Sequence, residues 1–338
     1  MGDLRVLVTA ELDCEFLRSS FPGVTFDIAG YGKNYNTLES SELAAMISYY
    51  DVLITEFEMV TREVIEKAKK LKLIICCRGG YGTVIDVESA KERGIVLEHN
   101  AGRNADSVSE IVMGYILDWC RNISKSNALV HSRVITASER NAPTEYGDSI
   151  WGLTESSPYI SLRGRSPKGM TLGIVGYGHV GRAVAKKAVS FGMVVGVLDP
   201  STTSDDCASL QFDSLEELLR KSDVVSLHCS RKPGNDNLMG RKQFELMKPT
   251  AMFINTSRGQ FVDEEALIWA LQTGQIAAAA IDVSKQEPLR SNSLLLDISN
   301  LVITPHIAGS SDDVIQTGTR MTVEKLGAWL KSQGARDA

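Results

Sequence analysis

The glycine triplet Gly176-x-Gly178-x-x-Gly181 lies between an apolar run, Thr171–Val175, and an Ala/Val-rich helical stretch, Val180–Phe191. Glycines in that place tie the chain to strand, tight turn and helix packed back on the strand, the opening of a parallel α/β sheet. Gly176 allows the turn, Gly178 lets backbone approach a pyrophosphate, and Gly181 lets helix close on strand. The helix N-terminus then offers free N–H groups and a positive dipole end to phosphates. Asp199 follows Gly181 by eighteen residues, at the end of the next apolar run. That is the spacing for a carboxylate that accepts from adenosine ribose hydroxyls.

The rest of the chain keeps the same rhythm. After Met170, strands are expected at Thr171–Val175, Val194–Leu198, Val224–His228, Ala251–Asn255, Ile276–Ile281 and Leu301–Thr304, a six-strand doubly wound pattern. Helices are expected near Val180–Phe191, Leu215–Lys221, Arg241–Leu246, Glu264–Gln272 and Asp312–Leu330. Before Met170, strands at Leu4–Val8, Val24–Ile28, Asp51–Ile54, Leu73–Cys76 and Ile95–Leu97 alternate with helical stretches from about Glu11, at Ser41–Ile47, Thr61–Lys70 and Asp86–Arg93. Asp106–Arg121 reads as one long helix with Val108, Ile111, Val112, Tyr115, Ile116 and Trp119 on its apolar face. Residues 132–168 have no clear period and are rich in Ser, Pro, Gly, Asn and Arg, which marks a functional arm or an inter-subunit element.

Composition narrows the function. The 338 residues suit two domains at about 100–200 residues each. A net charge of −6 and the lack of any Lys/Arg cluster argue against nucleic acid and anionic membranes as partners. The longest nearly unbroken apolar stretch, Ile276–Ile281, is far short of a membrane span, and Met-Gly-Asp-Leu-Arg opens without an apolar signal region. Six cysteines with no CxxC pair fit reduced thiols in a cytoplasmic protein, with neither a metal site nor a disulfide framework.

Three segments place reactive side chains just after strands: Asn255-Thr-Ser-Arg258-Gly259, Asp282-Val-Ser-Lys-Gln-Glu287-Pro288, and Thr304-Pro-His306-Ile-Ala-Gly309. In an open α/β sheet the ligand crevice lies outside the carboxyl ends of the strands. Arg258 can grip a carboxylate through two parallel hydrogen bonds. His306 can pass a proton near neutrality, and Glu287 behind it would fix its tautomer and favour its charged form. Each has an ordinary reading alone: a surface ion pair for the Arg, a turn for Glu-Pro, a structural His after Pro. Together with the glycine loop they suit hydride transfer between a nicotinamide and a 2-oxo or 2-hydroxy acid.

With Gly176-Tyr-Gly-His-Val-Gly181, Asn255-Thr-Ser-Arg-Gly259, Ala280-Ile-Asp-Val with Glu287-Pro288, and Pro305-His-Ile-Ala-Gly309 in this order, the chain resembles the D-isomer-specific 2-hydroxyacid dehydrogenases. That family includes phosphoglycerate, glycerate/hydroxypyruvate and D-lactate dehydrogenases. The resemblance is strong over Met170–Gly309, looser over Leu73–Arg121, where Cys77-Arg-Gly-Gly-Tyr-Gly82 and Asn100-Ala-Gly-Arg-Asn104 match in style, and weak before Asp51. It implies a Rossmann coenzyme domain, residues 120–309, inserted into a flavodoxin-like substrate domain made of residues 1–119 and 310–338, with the active site in the cleft. It implies NAD as cofactor, contacted by Gly176, Gly178, His179, Val180, Gly181, Asp199, His228, Thr256 and Asp282. Arg258, Glu287 and His306 would be catalytic, and the loop of Gly79, Gly80, Tyr81 and Gly82 would offer N–H groups to the substrate carboxylate. Members are usually dimers that meet through the coenzyme domain and the arm.

Departures from the family pattern point to the substrate. Phosphoglycerate enzymes have an Arg-Ser pair after the third strand; here the residues are Thr55-Glu56-Phe57-Glu58, and a carboxylate there would repel a phosphate. Glyoxylate, hydroxypyruvate or a sugar acid is expected instead. Cys229-Ser230-Arg231-Lys232 replaces an apolar-Pro pair, and Tyr146, Trp151 and Tyr159 of the long arm are candidates to reach a neighbouring cleft. The alternative function is a non-enzymatic NAD-binding regulator on the same fold. Formate enzymes of this fold differ by a Gln at the position of Glu287.

Overall fold

The computed structural model describes residues 4–136, 157–201, 210–230 and 234–334. The chain divides into two compact units, residues 1–107 with 309–338, and residues 108–308. The boundary expected at 119/120 falls inside a continuous helix, Ala105–Arg121. Much of the long arm, including Tyr146 and Trp151, lies outside the described residues, as do Arg231 and Lys232.

The first unit holds a five-stranded sheet in the order β2-β1-β3-β4-β5, with every pair parallel. Its strands are β1 (Arg5–Val8), β2 (Thr25–Ile28), β3 (Val52–Thr55), β4 (Leu73–Cys76) and β5 (Val96–His99). Both sheet faces are covered, so β3 and β4 are buried at every position and read as unbroken apolar runs. Side chains still alternate: Leu7, Leu53 and Ile74 enter one core, while Val6, Val8, Val52, Ile54, Leu73 and Ile75 enter the other. Leu326 and Trp329, from the C-terminal helix Asp312–Gly334, complete the second of these cores.

The second unit holds a seven-stranded parallel sheet in the order β12-β11-β10-β9-β6-β7-β8. Its strands are β6 (Thr171–Val175), β7 (Val194–Leu198), β8 (Leu210–Gln211), β9 (Val224–Leu227), β10 (Met252–Asn255), β11 (Ala278–Ile281) and β12 (Leu301–Ile303). The sequence pattern gives six strands; β8, with two residues, is too short to carry an alternation. Strand order reverses at β6, between β7 and β9, which opens a crevice at the carboxyl edge. Phe253 and Ile281 point into one core, and Ile174, Val224, Ile254 and Ala280 into the other. Phe244, Phe253 and Phe261 are fully buried, and each stabilises the fold by roughly 1.5–3 kcal/mol.

Helix ends follow local chemistry. Asp263 accepts from the N–H groups of Glu265 and Ala266 to start the helix Glu264–Gln272. Ser214 does the same for Leu215–Lys221, whose first turn is acidic and whose last is basic, matching the helix dipole. Among the described residues no helix is long and apolar enough to cross a membrane.

Candidate active site

The carboxyl edge of the seven-stranded sheet gathers most of the residues singled out by sequence. After β6 the chain turns at Gly176, with φ +95°. A Cβ there would lie 2.6 Å from the backbone of His228 and Cys229. A Cβ on Gly181 would lie 2.2 Å from the Gly176 carbonyl oxygen. These two glycines are packing glycines. Gly178 differs: it caps the helix His179–Ser190, and a Cβ on it would meet nothing within 4 Å. The open space lies where the helix leaves its N–H groups unpaired, which fits a dinucleotide pyrophosphate. His179 is exposed and Val180 half-buried at the start of that helix.

Asp199, just past β7, holds the glycine loop in place. Its Oδ2 accepts from the Tyr177 N–H at 2.7 Å, and its Oδ1 from Ser201 N and Oγ at 2.8 and 2.5 Å. A carboxylate has about four acceptor positions. At least three are taken by groups next to the glycine loop, Tyr177 and Ser201. His228 follows β9; its Nε2 sits 2.8 Å from Ser226 Oγ, and burial pushes its pKa down to about 3, so the ring is neutral near pH 7. Thr256 Oγ1, after β10, is buried with no hydrogen-bond partner among the described residues. An orphaned hydroxyl on the same edge fits a polar ligand group there.

Arg258 is presented by a tight turn. Asn255, fully buried at the end of β10, donates from Nδ2 to the Arg258 carbonyl at 2.8 Å and accepts from Ser257 N at 3.0 Å. Gly259 lets the turn close on the next loop, since a Cβ there would overlap the Ser284 backbone. The guanidinium is exposed, with Nη1 donating to the Ser257 carbonyl at 2.6 Å.

That next loop carries Glu287. Its Oε1 accepts from Ser284 N at 3.0 Å, and its Oε2 meets His306 Nδ1 at 2.6 Å. The carboxylate accepts, so Nδ1 carries the hydrogen and Nε2 is the atom left to exchange a proton. Both side chains are substantially exposed, 51% for His306 and 37% for Glu287, which leaves Nε2 open to a ligand.

His306 has φ +56°, a left-handed conformation that a non-glycine residue keeps only when its surroundings over-determine it. Asp282 supplies the surroundings. Its carbonyl accepts from His306 N at 2.8 Å, its Oδ1 from Ile307 N at 2.8 Å and Thr304 Oγ1 at 2.5 Å, and its Oδ2 from Ala308 N at 2.8 Å. Asp282 is 2% exposed. The family resemblance implies a contact with the nicotinamide; what the side chain holds here is the turn that bears His306. Tyr115, Thr304, Asn255 and Ser226 also shape this edge and were not singled out by sequence. Tyr115 and Thr304 meet partners from elements distant in the chain, and Asn255 and Ser226 bond within three residues; periodicity records neither kind of contact.

In the first unit, the loop of Gly79, Gly80, Tyr81 and Gly82 follows β4. The three glycines are exposed, with nothing within 4 Å of an added Cβ. Tyr81 is anchored edge-on to His99, with ring centroids 5.2 Å apart. Glu56 and Glu58 correct the sequence-based case against phosphate. Glu56 is ion-paired with Arg103, and burial raises its pKa while the guanidinium lowers it. Glu58 is buried, accepting from Tyr31 N at 2.9 Å and from Thr55 Oγ1 at 3.2 Å. Neither presents a bare charge. Positions 55–58 still lack a cation; Arg103 is committed to Glu56, and Arg78 lies over the Phe57 ring, 5.2 Å from its centroid.

Comparison with known proteins agrees with this geometry. Residues 113–308 match the family described as D-isomer specific 2-hydroxyacid dehydrogenase, NAD binding domain. The chain is 34% identical over 305 residues to a D-3-phosphoglycerate dehydrogenase of Methanocaldococcus jannaschii, covering 89% of this chain but only 53% of that protein. It is 33% identical over 293 residues to a hydroxypyruvate reductase of Thermotoga maritima, covering 86% of this chain and 88% of that one. The crystal structure of the TT0316 protein from Thermus thermophilus superposes with a TM-score of 0.78 at 31% identity, covering 97% of each chain. The chain therefore belongs to the D-isomer-specific 2-hydroxyacid dehydrogenase family, with two parallel-sheet α/β units and an NAD-binding domain.

Proposed function

We propose that this chain interconverts a small, unphosphorylated 2-oxo acid and its 2-hydroxy acid, with glyoxylate, hydroxypyruvate or a sugar acid as the substrate type. The observation that carries the proposal is the His306–Glu287 pair at 2.6 Å, with Nε2 open and Arg258 presented from the adjoining loop. NADH, when bound, supplies the hydride. Gly176, Gly178, Gly181, His179, Val180, Asp199, His228 and Thr256 line the edge that would hold it. Arg258 grips the substrate carboxylate and orients its carbonyl. His306 Nε2 gives its proton to the carbonyl oxygen in reduction and takes it back in oxidation. Glu287, accepting from Nδ1, keeps the ring in the tautomer that allows this. A Glu at 287, rather than Gln, distinguishes this reading from a formate dehydrogenase. The enzyme would act in the cytosol, as the cysteine pattern suggests, and as a homodimer, as the family resemblance implies.

NADH oxidation over a panel of 2-oxo acids tests this directly. The panel should run from glyoxylate and hydroxypyruvate to longer polyhydroxylated acids and include a phosphorylated one. Turnover of small unphosphorylated members is expected. Preference for the phosphorylated acid would overturn the substrate assignment, and NADH binding without turnover of any member would favour the regulator.

A further inference from the structure

The apolar face of helix Ala105–Arg121 carries one residue whose polar end leaves the core. Tyr115 is 6% exposed, and its ring packs with Val112 and Ile116 in the core of the second unit. Its hydroxyl lies 2.5 Å from Thr304 Oγ1. Thr304 Oγ1 in turn lies 2.5 Å from Asp282 Oδ1. The direction of this chain follows from counting hydrogens. Ile307 and Ala308 direct backbone N–H groups at the Asp282 carboxylate, and an N–H can only donate. The carboxylate therefore acts as acceptor, the single Thr304 hydroxyl hydrogen goes to it, and the Tyr115 hydroxyl donates to Thr304. Burial raises the Tyr115 pKa to about 12, so the phenol keeps its hydrogen at any working pH.

We propose that Tyr115 is a positioning residue for His306, acting through Thr304 and Asp282 on the left-handed turn at 304–308. The inference rests on His306 being the proton-transfer group. The relay does not touch the substrate. It fixes the Asp282 rotamer, and Asp282 holds Ile307 and Ala308 by their N–H groups and His306 by its own backbone. A hydroxyl entering from a separate helix turns a local loop into one tied to the core. Hydrogen-bonded groups that act as a unit lose their effect together, so their deletions do not add.

The test uses the full chain carrying Tyr115→Phe, Thr304→Val, Thr304→Ser and the Phe/Val double variant. The first readout needs no turnover: hydrogen exchange at the Ile307 and Ala308 amides. Tyr115→Phe should speed their exchange by about three- to tenfold, the scale of one buried hydrogen bond, while amides of helix Ala105–Arg121 keep their protection. The second readout is steady-state reduction of whichever 2-oxo acid the panel identifies. There kcat should fall by a similar factor with little change in KM or NADH affinity. Thr304→Ser, which keeps the hydroxyl, should recover what Thr304→Val loses, and the double variant should be no worse than Thr304→Val alone. Unchanged exchange at 307 and 308 in Tyr115→Phe, or additive losses in the double variant, would overturn the relay. Faster exchange with unchanged kcat would show that the relay stiffens the turn without serving proton transfer, and would also overturn the proposal. Absence of turnover in the wild type would strike the functional reading instead and leave the exchange result to decide whether the relay exists.

Discussion

Gly178 and Gly181 lie three residues apart in one loop, and the structure gives alanine opposite consequences at the two positions. At Gly181 the new Cβ would lie 2.2 Å from the Gly176 carbonyl oxygen and 3.3 Å from Ile174 Cγ2. The oxygen belongs to backbone fixed by β6, so helix and strand must separate. Overpacking of this kind costs about 1–3 kcal/mol, partly offset by up to about 1 kcal/mol from the better helix propensity of alanine. In a unit of this size that lowers Tm by several degrees. At Gly178, φ is −76° and the Cβ enters empty space. Alanine there should cost under about 1 kcal/mol of stability, as the weaker cap. The methyl would instead stand between the loop N–H groups and the coenzyme phosphates. Loss of one hydrogen bond to a charged group, about 1.5–3 kcal/mol, weakens NADH binding about 10–150-fold. Thermal melts and NADH titrations by fluorescence on both variants separate the effects. Wild-type NADH affinity in Gly178→Ala would show that the dinucleotide does not cross this loop.

Three further outcomes are expected. Arg258→Lys keeps a charge but loses the planar fork, so kcat/KM should fall steeply for every 2-oxo acid; near-normal turnover would make Arg258 structural. An Asp199 carboxylate set beside the ribose, as proposed, would repel a 2′-phosphate, so kcat/KM should favour NADH over NADPH by at least about tenfold, and equal values would mean the carboxylate points away from the ribose. His228 has a folded pKa of about 3 against about 6.5 unfolded. Between those values the unfolded chain binds the extra proton, so stability falls as pH drops through the window, by up to about 1.4 kcal/mol per unit. His228→Gln should shrink the loss of urea midpoint between about pH 7 and about pH 4.5, and an unchanged loss would place the acid sensitivity elsewhere.

Elements were legible where one residue type settles a local question. Asp263 and Ser214 mark helix starts because their side chains reach N–H groups two or three residues on. Val52–Thr55 and Leu73–Cys76 are strands because both sheet faces are covered and every position is apolar or small. β8 was not legible, because its two residues pair with β7 by position alone. In the site, Gly176, Asp199, Arg258, Glu287 and His306 follow strand ends, and strand ends are what an alternating pattern locates. What a side chain does there depends on partners from other elements. Glu56 reads as a bare charge in sequence because Arg103, which pairs with it, lies 47 residues on. Tyr115 reads as core because its ring is core; only its hydroxyl, meeting a threonine 189 residues on, is not.

The central claim is that His306 moves the substrate proton. Single-turnover reduction of the preferred 2-oxo acid by pre-bound NADH, in wild type and in His306→Ala, tests it most directly. The account predicts a loss of about 10²–10⁴-fold in the rate of NADH oxidation, with NADH affinity and Tm little changed, because the imidazole is half exposed and packs on no core. A rate within a few-fold of wild type would contradict it and move the proton transfer to another group.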